Sequence, residues 1–394
     1  MNYKLLHHDI LYNNEPIAPY PMHLFMRVDK PTNNIPGPIQ RISQQERAWA
    51  KAQRGEIGDK VKSEVDRLID KYPLGASLFE VRRHLQGINN HKNAVTSSRA
   101  PLPDDPRVLS RHLKSLGYFL GADLMGICEI PLSAIYQDDE LGKPIEVDFK
   151  YAIIFVKRKH YRTTSASNGY DWIFDSASHQ VYQVLAVWTD TVANYIRRLG
   201  YAAEASNMRN YYNLMTPLLI QSGIGEVSRM GIALNPFFGA NFKAAAVLTD
   251  IPLLPDGPID FGLQKYCSTC KICAEQCPVK AISFGDKVIY NGYETWKMDP
   301  DKCACFAILN KKGSVCGRCT KVCPWNRPGT EPHTYTDWDG NLNRLYDEVD
   351  KQASLIRSRN YVDPSEKTDK WWFDLEEIDG KLVIPSSSNY VELS

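Results

Sequence analysis

The 394-residue chain has no apolar run approaching the ~20 residues that a helix needs to cross a bilayer. Its opening residues, MNYKLLHHDILYNNEP, contain neither a long apolar leader core nor a twin arginine. Read as it stands, the chain is expected to be cytoplasmic; a chain whose leader had been removed would read the same. Charge of one sign is also missing. Lys plus Arg total 47 against 46 Asp plus Glu, a net charge of +1. That balance gives no electrostatic reason to expect nucleic acid as the main partner. Low-complexity tracts are absent, and nothing repeats internally apart from two cysteine runs. What remains is a folded chain, 43% apolar, long enough for two or three structural units.

The cysteines are what is there. Cys267, Cys270, Cys273 and Cys277 form C-x2-C-x2-C-x3-C, closed by Pro278. Cys303, Cys316, Cys319 and Cys323 form a second run, closed by Pro324. This is the spacing of a two-cluster bacterial ferredoxin, in which the fourth cysteine of each run ligates the other cluster. One [4Fe-4S] cube is therefore expected on Cys267, Cys270, Cys273 and Cys323. The other is expected on Cys303, Cys316, Cys319 and Cys277. Structural zinc has little use for a third cysteine in such a run, and disulfides belong to oxidising compartments and small chains. On spacing alone Cys303 and Cys305 both serve as the start of the second run. Cys128, far upstream, reads as a buried apolar thiol.

Around the cysteines the pattern is mixed. Residues 1–100 are polar and punctuated by Pro and Asn, with one helical stretch over Gln44–Lys71, and read equally as an extension wrapping a core or as a solvated arm. Residues 101–260 carry helical stripes over Pro106–Leu116 and Ser176–Leu199, the latter ended by Gly200. Strands are expected over Leu124–Cys128, Tyr151–Val156 and Ala244–Leu248, and a helix start at Thr216–Pro217. Alternating strands and helices favour an α/β (α+β) core. Residues 261–330 form the ferredoxin-like module. Residues 331–394 form a tail, in which Trp371, Trp372 and Phe373 read as an anchor docking on the core, with a lid over a substrate channel as the alternative. A bare two-cluster ferredoxin needs only about 60–80 residues. The long preceding core therefore suggests a reductase whose clusters feed a second cofactor.

Three segments carry a resemblance: Gln221-Ser-Gly-Ile-Gly-Glu-Val-Ser-Arg-Met-Gly231, Asn235-Pro-Phe-Phe-Gly239 and Ala246-Val-Leu-Thr-Asp-Ile-Pro-Leu253. With their spacing to the first cysteine run, they resemble the corrinoid-binding core of the cobalamin-dependent reductive dehalogenases, across roughly residues 100–330. The resemblance implies a nitroreductase-like core holding base-off cobalamin. It also selects Cys303 over Cys305, because the longer loop matches. No Asp-x-His-x-x-Gly occurs, which agrees with cobalt lacking a protein histidine. Gly223, Gly225, Arg229 and Gly231 become cofactor-binding candidates, the glycines because a missing Cβ lets backbone approach a flat macrocycle. By position in the family's motifs, Tyr182 becomes the proton donor, Lys243 the cation that steadies its phenolate, and Asn210 a residue that positions halide or substrate. Tyr182 lies one or two positions from the family's place, so Tyr211 and Tyr212 remain alternative donors.

The activity implied is cleavage of a carbon–halogen bond in a small organohalide. Electrons would come from an external low-potential donor: a ferredoxin, a flavodoxin or a reductase. Two other readings compete. One is a related enzyme of the epoxyqueuosine reductase kind, acting on tRNA, against which stand the missing basic surplus and the lack of an alignable Asp acid. The other is a non-catalytic electron carrier, which would bind no corrinoid. Neither the organohalide nor the oligomeric state is encoded in a readable motif.

Overall fold

Tyr151–Arg158 forms strand β2, and its unbroken apolar run reflects burial on both faces. It pairs with β1 (Leu124–Glu129) on one side and with a strand over Phe242–Thr249 on the other. With β3 (Ala203–Ser206) and β4 (Phe242–Thr249), the sheet has the order β1-β2-β4-β3, every neighbouring pair antiparallel. The computed structural model describes residues 18–65, 67, 71–87, 95–147, 149–207, 211–329, 338–358 and 376–383. Asn210 and the Trp371–Trp372–Phe373 group lie outside them.

The two sheet faces build two cores. Ala152, Ile154, Val156, Ala244, Ala246 and Leu248 face a core that contains Phe237, Phe238, Phe261 and Trp325. Ile153, Phe155, Ala245 and Val247 face the opposite way, onto Val181, Leu185 and Val192. Those three belong to the long helix over Ile173–Arg198. It ends through Leu199 and Gly200, whose φ of +85° suits a residue without a Cβ. Helix and strand do alternate along the chain, as the sequence suggests. The sheet is nonetheless antiparallel rather than built from parallel crossovers.

The segment before the sheet is packed into it. Tyr20 accepts a hydrogen bond from Arg158, and its ring centroid lies 5.1 Å from that of Phe238. Gln44–Lys71 is not one helix. Helix α1 (Ala48–Arg54) stops at Gly55, φ +83°, and α2 (Asp59–Val65) begins after Gly58, φ +120°. The two glycines break the register, and the halves fold against a helix of the cysteine-rich module through Ala48, Ala52, Val61, Val65, Ala304 and Ile308. Helix α3 (Pro73–Gly87), which the sequence pattern did not announce, lies on the long helix, where Gln183 Nε2 donates to Leu78 O at 2.6 Å. Helix α4 (Pro106–Phe119) is capped by Asp105, which accepts from Arg107 N at 3.0 Å. With the long helix as α5, α6 spans Met215–Gln221. Its N-cap is Leu214, so Thr216 lies inside the first turn and does not cap it.

Beyond the sheet come the short helices α7 (Leu263–Cys270), α8 (Ile272–Glu275), α9 (Pro300–Leu309) and α10 (Arg318–Lys321). A hairpin of Val288–Tyr290 and Tyr293–Thr295 sits among them. Helix α11 (Leu342–Ser358) closes over the module, and Arg357 donates to Cys270 O at 2.7 Å. No helix among the described residues is long and apolar enough to cross a membrane.

Candidate redox centre and active site

The cysteine runs fold as tight turns between very short helices, which brings thiols distant in sequence into two groups. Cys267, Cys270, Cys273 and Cys323 line one cavity together with Trp325 and Met230. Burial pushes Cys323 well up, and the next influences on it are the thiols of Cys267, Cys273 and Cys270. Cys303 is exposed as a residue, but crowding of its thiol by surrounding protein pushes it up to about 12, followed by the effects of Cys319, Cys316 and Cys277. Cys316 is pushed up to about 11 and has Cys319 and Cys277 among its neighbours. These are the two quartets that the spacing implies, and Cys273 and Cys319 lie where they approach each other. Cys305 stands apart: its Sγ points at Ile57 O, 3.6 Å away, among the arm helices. Cys128 is buried in strand β1, as expected.

The donor set suits iron–sulfur clusters. Buried thiols resist ionisation until a metal takes them. Among the described residues no three His, Cys, Asp or Glu are arranged for a single ion; a cube is wider than an ion and spreads its thiolates to its corners. The indole Nε1 of Trp325, buried in the first quartet's wall, has no hydrogen-bond partner among the described residues. A cluster sulfur is an acceptor that such a donor can use.

The sheet core grips both cysteine loops. Arg229, 2% exposed, donates from Nε to Cys267 O at 2.9 Å, and from Nη1 to Ser283 O at 2.8 Å and Gly285 O at 3.0 Å. Its Nη2 reaches Ser268 O at 3.2 Å, and the guanidinium carbon lies 4.7 Å from the Trp296 ring centroid. The second loop is held by Arg318 Nη2 on Asn168 O at 2.6 Å and by Lys321 Nζ on Ser167 O at 2.6 Å. Ser314 donates to Asp175, which sits 3.3 Å from His179 Nε2.

The glycine-rich stretch works differently from expectation. A Cβ on Gly223 would overlap the Arg27 guanidinium, and one on Gly225 would overlap the Leu234 carbonyl. The missing side chains at these two positions are thus accounted for by the protein's own packing. Arg229 is likewise engaged with protein carbonyls. Gly231 borders a separate cavity of about 360 Å³ whose walls include Ile42, Leu214, Tyr293, Trp296 and Met298. That volume lies within the usual range of small-molecule sites.

Tyr182 and Lys243 do come together. Tyr182 is half-buried on α5; Lys243, near the start of β4, places Nζ 5.1 Å from its ring centroid. Tyr211 shares a hydrogen bond with Tyr182, and burial followed by that neighbour holds its hydroxyl well above the ordinary tyrosine range. Tyr211 packs against the Ile135–Tyr136–Ile145 cluster, as do Ile42 and Leu214, two residues of the cavity wall. Gln44 Nε2 donates to Tyr211 O at 2.5 Å, so the N-terminal segment helps fix the tyrosine pair. Tyr212 packs between the two apolar clusters that flank it. The sequence reading missed Lys159, a buried lysine between Lys243 and the second cysteine loop. Its sequence context, Lys157-Arg158-Lys159 at a strand end, offers no signal for this.

Comparison with known proteins fits this architecture. Residues 266–327 match the 4Fe-4S dicluster domain family. A tetrachloroethene reductive dehalogenase of Sulfurospirillum multivorans is 28% identical over 291 residues, 63% of this chain and 56% of that protein. A solved reductive dehalogenase structure, described as suggesting a mechanism for B12-dependent dehalogenation, superposes with a TM-score of 0.82 at 36% identity, covering 97% of this chain and 55% of that one. An epoxyqueuosine reductase of Leadbetterella byssophila is 25% identical over 164 residues, 35% of this chain and 49% of that protein. The chain spans about half the length of the dehalogenases it matches. It is a homologue of the reductive dehalogenases, a mixed α/β fold with a 4Fe-4S dicluster domain toward its C-terminus.

Proposed function

We propose that this chain reduces a small organohalide at a bound cobalamin, with electrons passed through two [4Fe-4S] clusters. One observation carries the reading: a tyrosine with a lysine ammonium 5.1 Å from its ring centroid, in a core that adjoins two cysteine quartets. A plain electron carrier has no use for that pair. Bound cobalamin would supply a low-valent cobalt able to attack the halogen or the carbon of the carbon–halogen bond. The chain's own residues then have three tasks. Cys267, Cys270, Cys273 and Cys323 hold one cluster, and Cys303, Cys316, Cys319 and Cys277 the other. Tyr182 gives its hydroxyl proton to the carbon that loses the halogen, and Lys243 steadies the phenolate left behind. Tyr211, in hydrogen-bond contact with Tyr182, would donate to that phenolate and remains the alternative donor. The cavity beside Gly231 is the candidate space for part of the corrinoid, and Asn210 remains a candidate for positioning halide or substrate.

The domain division proposed is 1–100 as the extension, 101–260 as the corrinoid-binding core, 261–330 as the cluster module and 331–394 as the tail. An external low-potential ferredoxin, flavodoxin or reductase would supply electrons. The test is anaerobic reconstitution with iron, sulfide and hydroxocobalamin, followed by halide release from halogenated phenols and ethenes with reduced viologen. Halide release that needs both cobalamin and clusters is expected. Cobalamin binding without halide release, but with turnover of an epoxyqueuosine-bearing tRNA stem, would move the assignment to the tRNA reductases. No cobalamin binding would leave an electron carrier.

A further inference from the structure

The odd-numbered residues of β2 face α5: Ile153 and Phe155 pack there, and Lys157 follows with Nζ 6.0 Å from the Trp188 ring centroid. Lys159 comes next, just past the strand. It is 2% exposed, and its backbone is locked to Asn241 by bonds of 2.9 Å (Lys159 N to Asn241 O) and 3.1 Å (Asn241 Nδ2 to Lys159 O). Its Nζ stands 3.5 Å from the centroid of the Phe174 ring. That ring in turn lies flat against Gly317, where a Cβ would overlap it. Gly317 follows Cys316 in the second cysteine run. Lys159 therefore reaches the second quartet through one aromatic ring, and the Cys319 thiol is close enough to influence it electrostatically.

Burial and the like charge of Lys243 both disfavour the ammonium, and the thiol of Cys319 favours it. Among the described residues no carboxylate acts on Lys159; the charged groups that do are Lys243 and Cys319. A buried ammonium held only by a ring is costly, and buried charges are normally paired. A four-thiolate [4Fe-4S] cube bears net negative charge in either redox state, and gains more on reduction. We propose that Lys159 is a positioning residue, the buried counter-ion of the second cluster, which raises that cluster's reduction potential. This rests on the two-cluster reading above. The second cysteine group supplies the anion, Phe174 sets the distance, and the Asn241 clamp prevents Lys159 from swinging out to solvent.

The experiment is redox-poised electron paramagnetic resonance on the reconstituted chain, comparing the parent with Lys159→Met and Lys159→Arg. Methionine keeps the length and removes the charge. In Lys159→Met the reduced-to-oxidised ratio of the second cluster at a fixed potential should fall at least tenfold, which is 59 mV for a one-electron couple. The first cluster should not move, and Lys159→Arg should stay within threefold of the parent. A change under twofold in Lys159→Met, with both clusters present, overturns the proposal, as does an equal shift of both clusters. If Lys159→Met fails to assemble the second cluster, Lys159→Gln and Lys159→Arg decide. Assembly rescued by Arg and not by Gln supports a charge role; rescue by Gln with an unchanged midpoint, or no rescue by Arg, overturns it. A parent protein with only about four irons would instead refute the two-cluster reading, so the two failures are distinct.

Discussion

Replacing Arg229 by methionine should release the first cluster's iron far faster than in the parent chain. The guanidinium satisfies four carbonyls at 2.8–3.2 Å, two of them on Cys267 and Ser268 in the first cysteine loop. Methionine fills much of the volume but offers no donor. A buried acceptor left without a partner costs about 1–3 kcal/mol. Water can reach some of the four, because three of the bonds are only partly buried. Taking about 1 kcal/mol for each gives about 3–5 kcal/mol, a large share of the roughly 5–15 kcal/mol that holds a domain together. Cluster loss is irreversible, so the proper reading is a rate. Opening of the loop should become about 10² to 4 × 10³-fold more frequent, at tenfold per 1.4 kcal/mol. The assay is anaerobic iron release to a chelator, followed at the cluster's visible absorbance. Arg229→Lys, which can reach one or two of the carbonyls, should fall between. Release from Arg229→Met within threefold of the parent would refute the idea that Arg229 fastens the cysteine loop to the core.

The other expectations are more direct. Reconstituted protein should carry about eight irons, four per cube, and Cys303→Ser should lose or damage the second cluster while Cys305→Ser keeps both; the reverse would reassign that ligand. Tyr182→Phe should keep clusters and cobalamin and lose about 10²–10⁴-fold in halide release, with Lys243→Met weakened by the same route; normal turnover in Tyr182→Phe would move the donor to Tyr211 or Tyr212. Gly225→Ala should destabilise the chain by about 1–3 kcal/mol, measured as a lowered thermal midpoint, because the obstructing Leu234 carbonyl is backbone and cannot swing aside. The Co(II) state of bound cobalamin should show no nitrogen splitting in its paramagnetic resonance spectrum; a clear splitting would contradict base-off binding.

What could be read from the sequence was what the chemistry makes local. An iron–sulfur loop must present thiols within a few residues of one another, so its spacing is a covalent constraint that survives any change of surroundings. The crossing of Cys277 and Cys323 between quartets is part of the same constraint. The sheet strands were legible for a similar reason: β2 and β4, buried on both faces, carry apolar runs that no loop needs. The Tyr182–Lys243 pair was of another kind. Its members sit on a helix and a strand far apart in the chain, and only the resemblance in the Gln221–Leu253 region singled them out. Residues whose role is to join distant segments had no such guide. Arg229 sits in a glycine-rich stretch that reads as a ligand loop, and its actual partners are carbonyls of a module that begins some thirty residues later. Lys159 ends a basic triplet that reads as a solvated strand end. The fold divides that triplet: Lys157 pairs with Asp123 at 3.3 Å, Arg158 turns inward to Tyr20, and Lys159 goes under Phe174 beside the second cysteine run. Spacing can state that a cluster binds, because its ligands are sequence neighbours. The charges that would set its potential arrive from across the sheet, and only the packed fold brings them within reach.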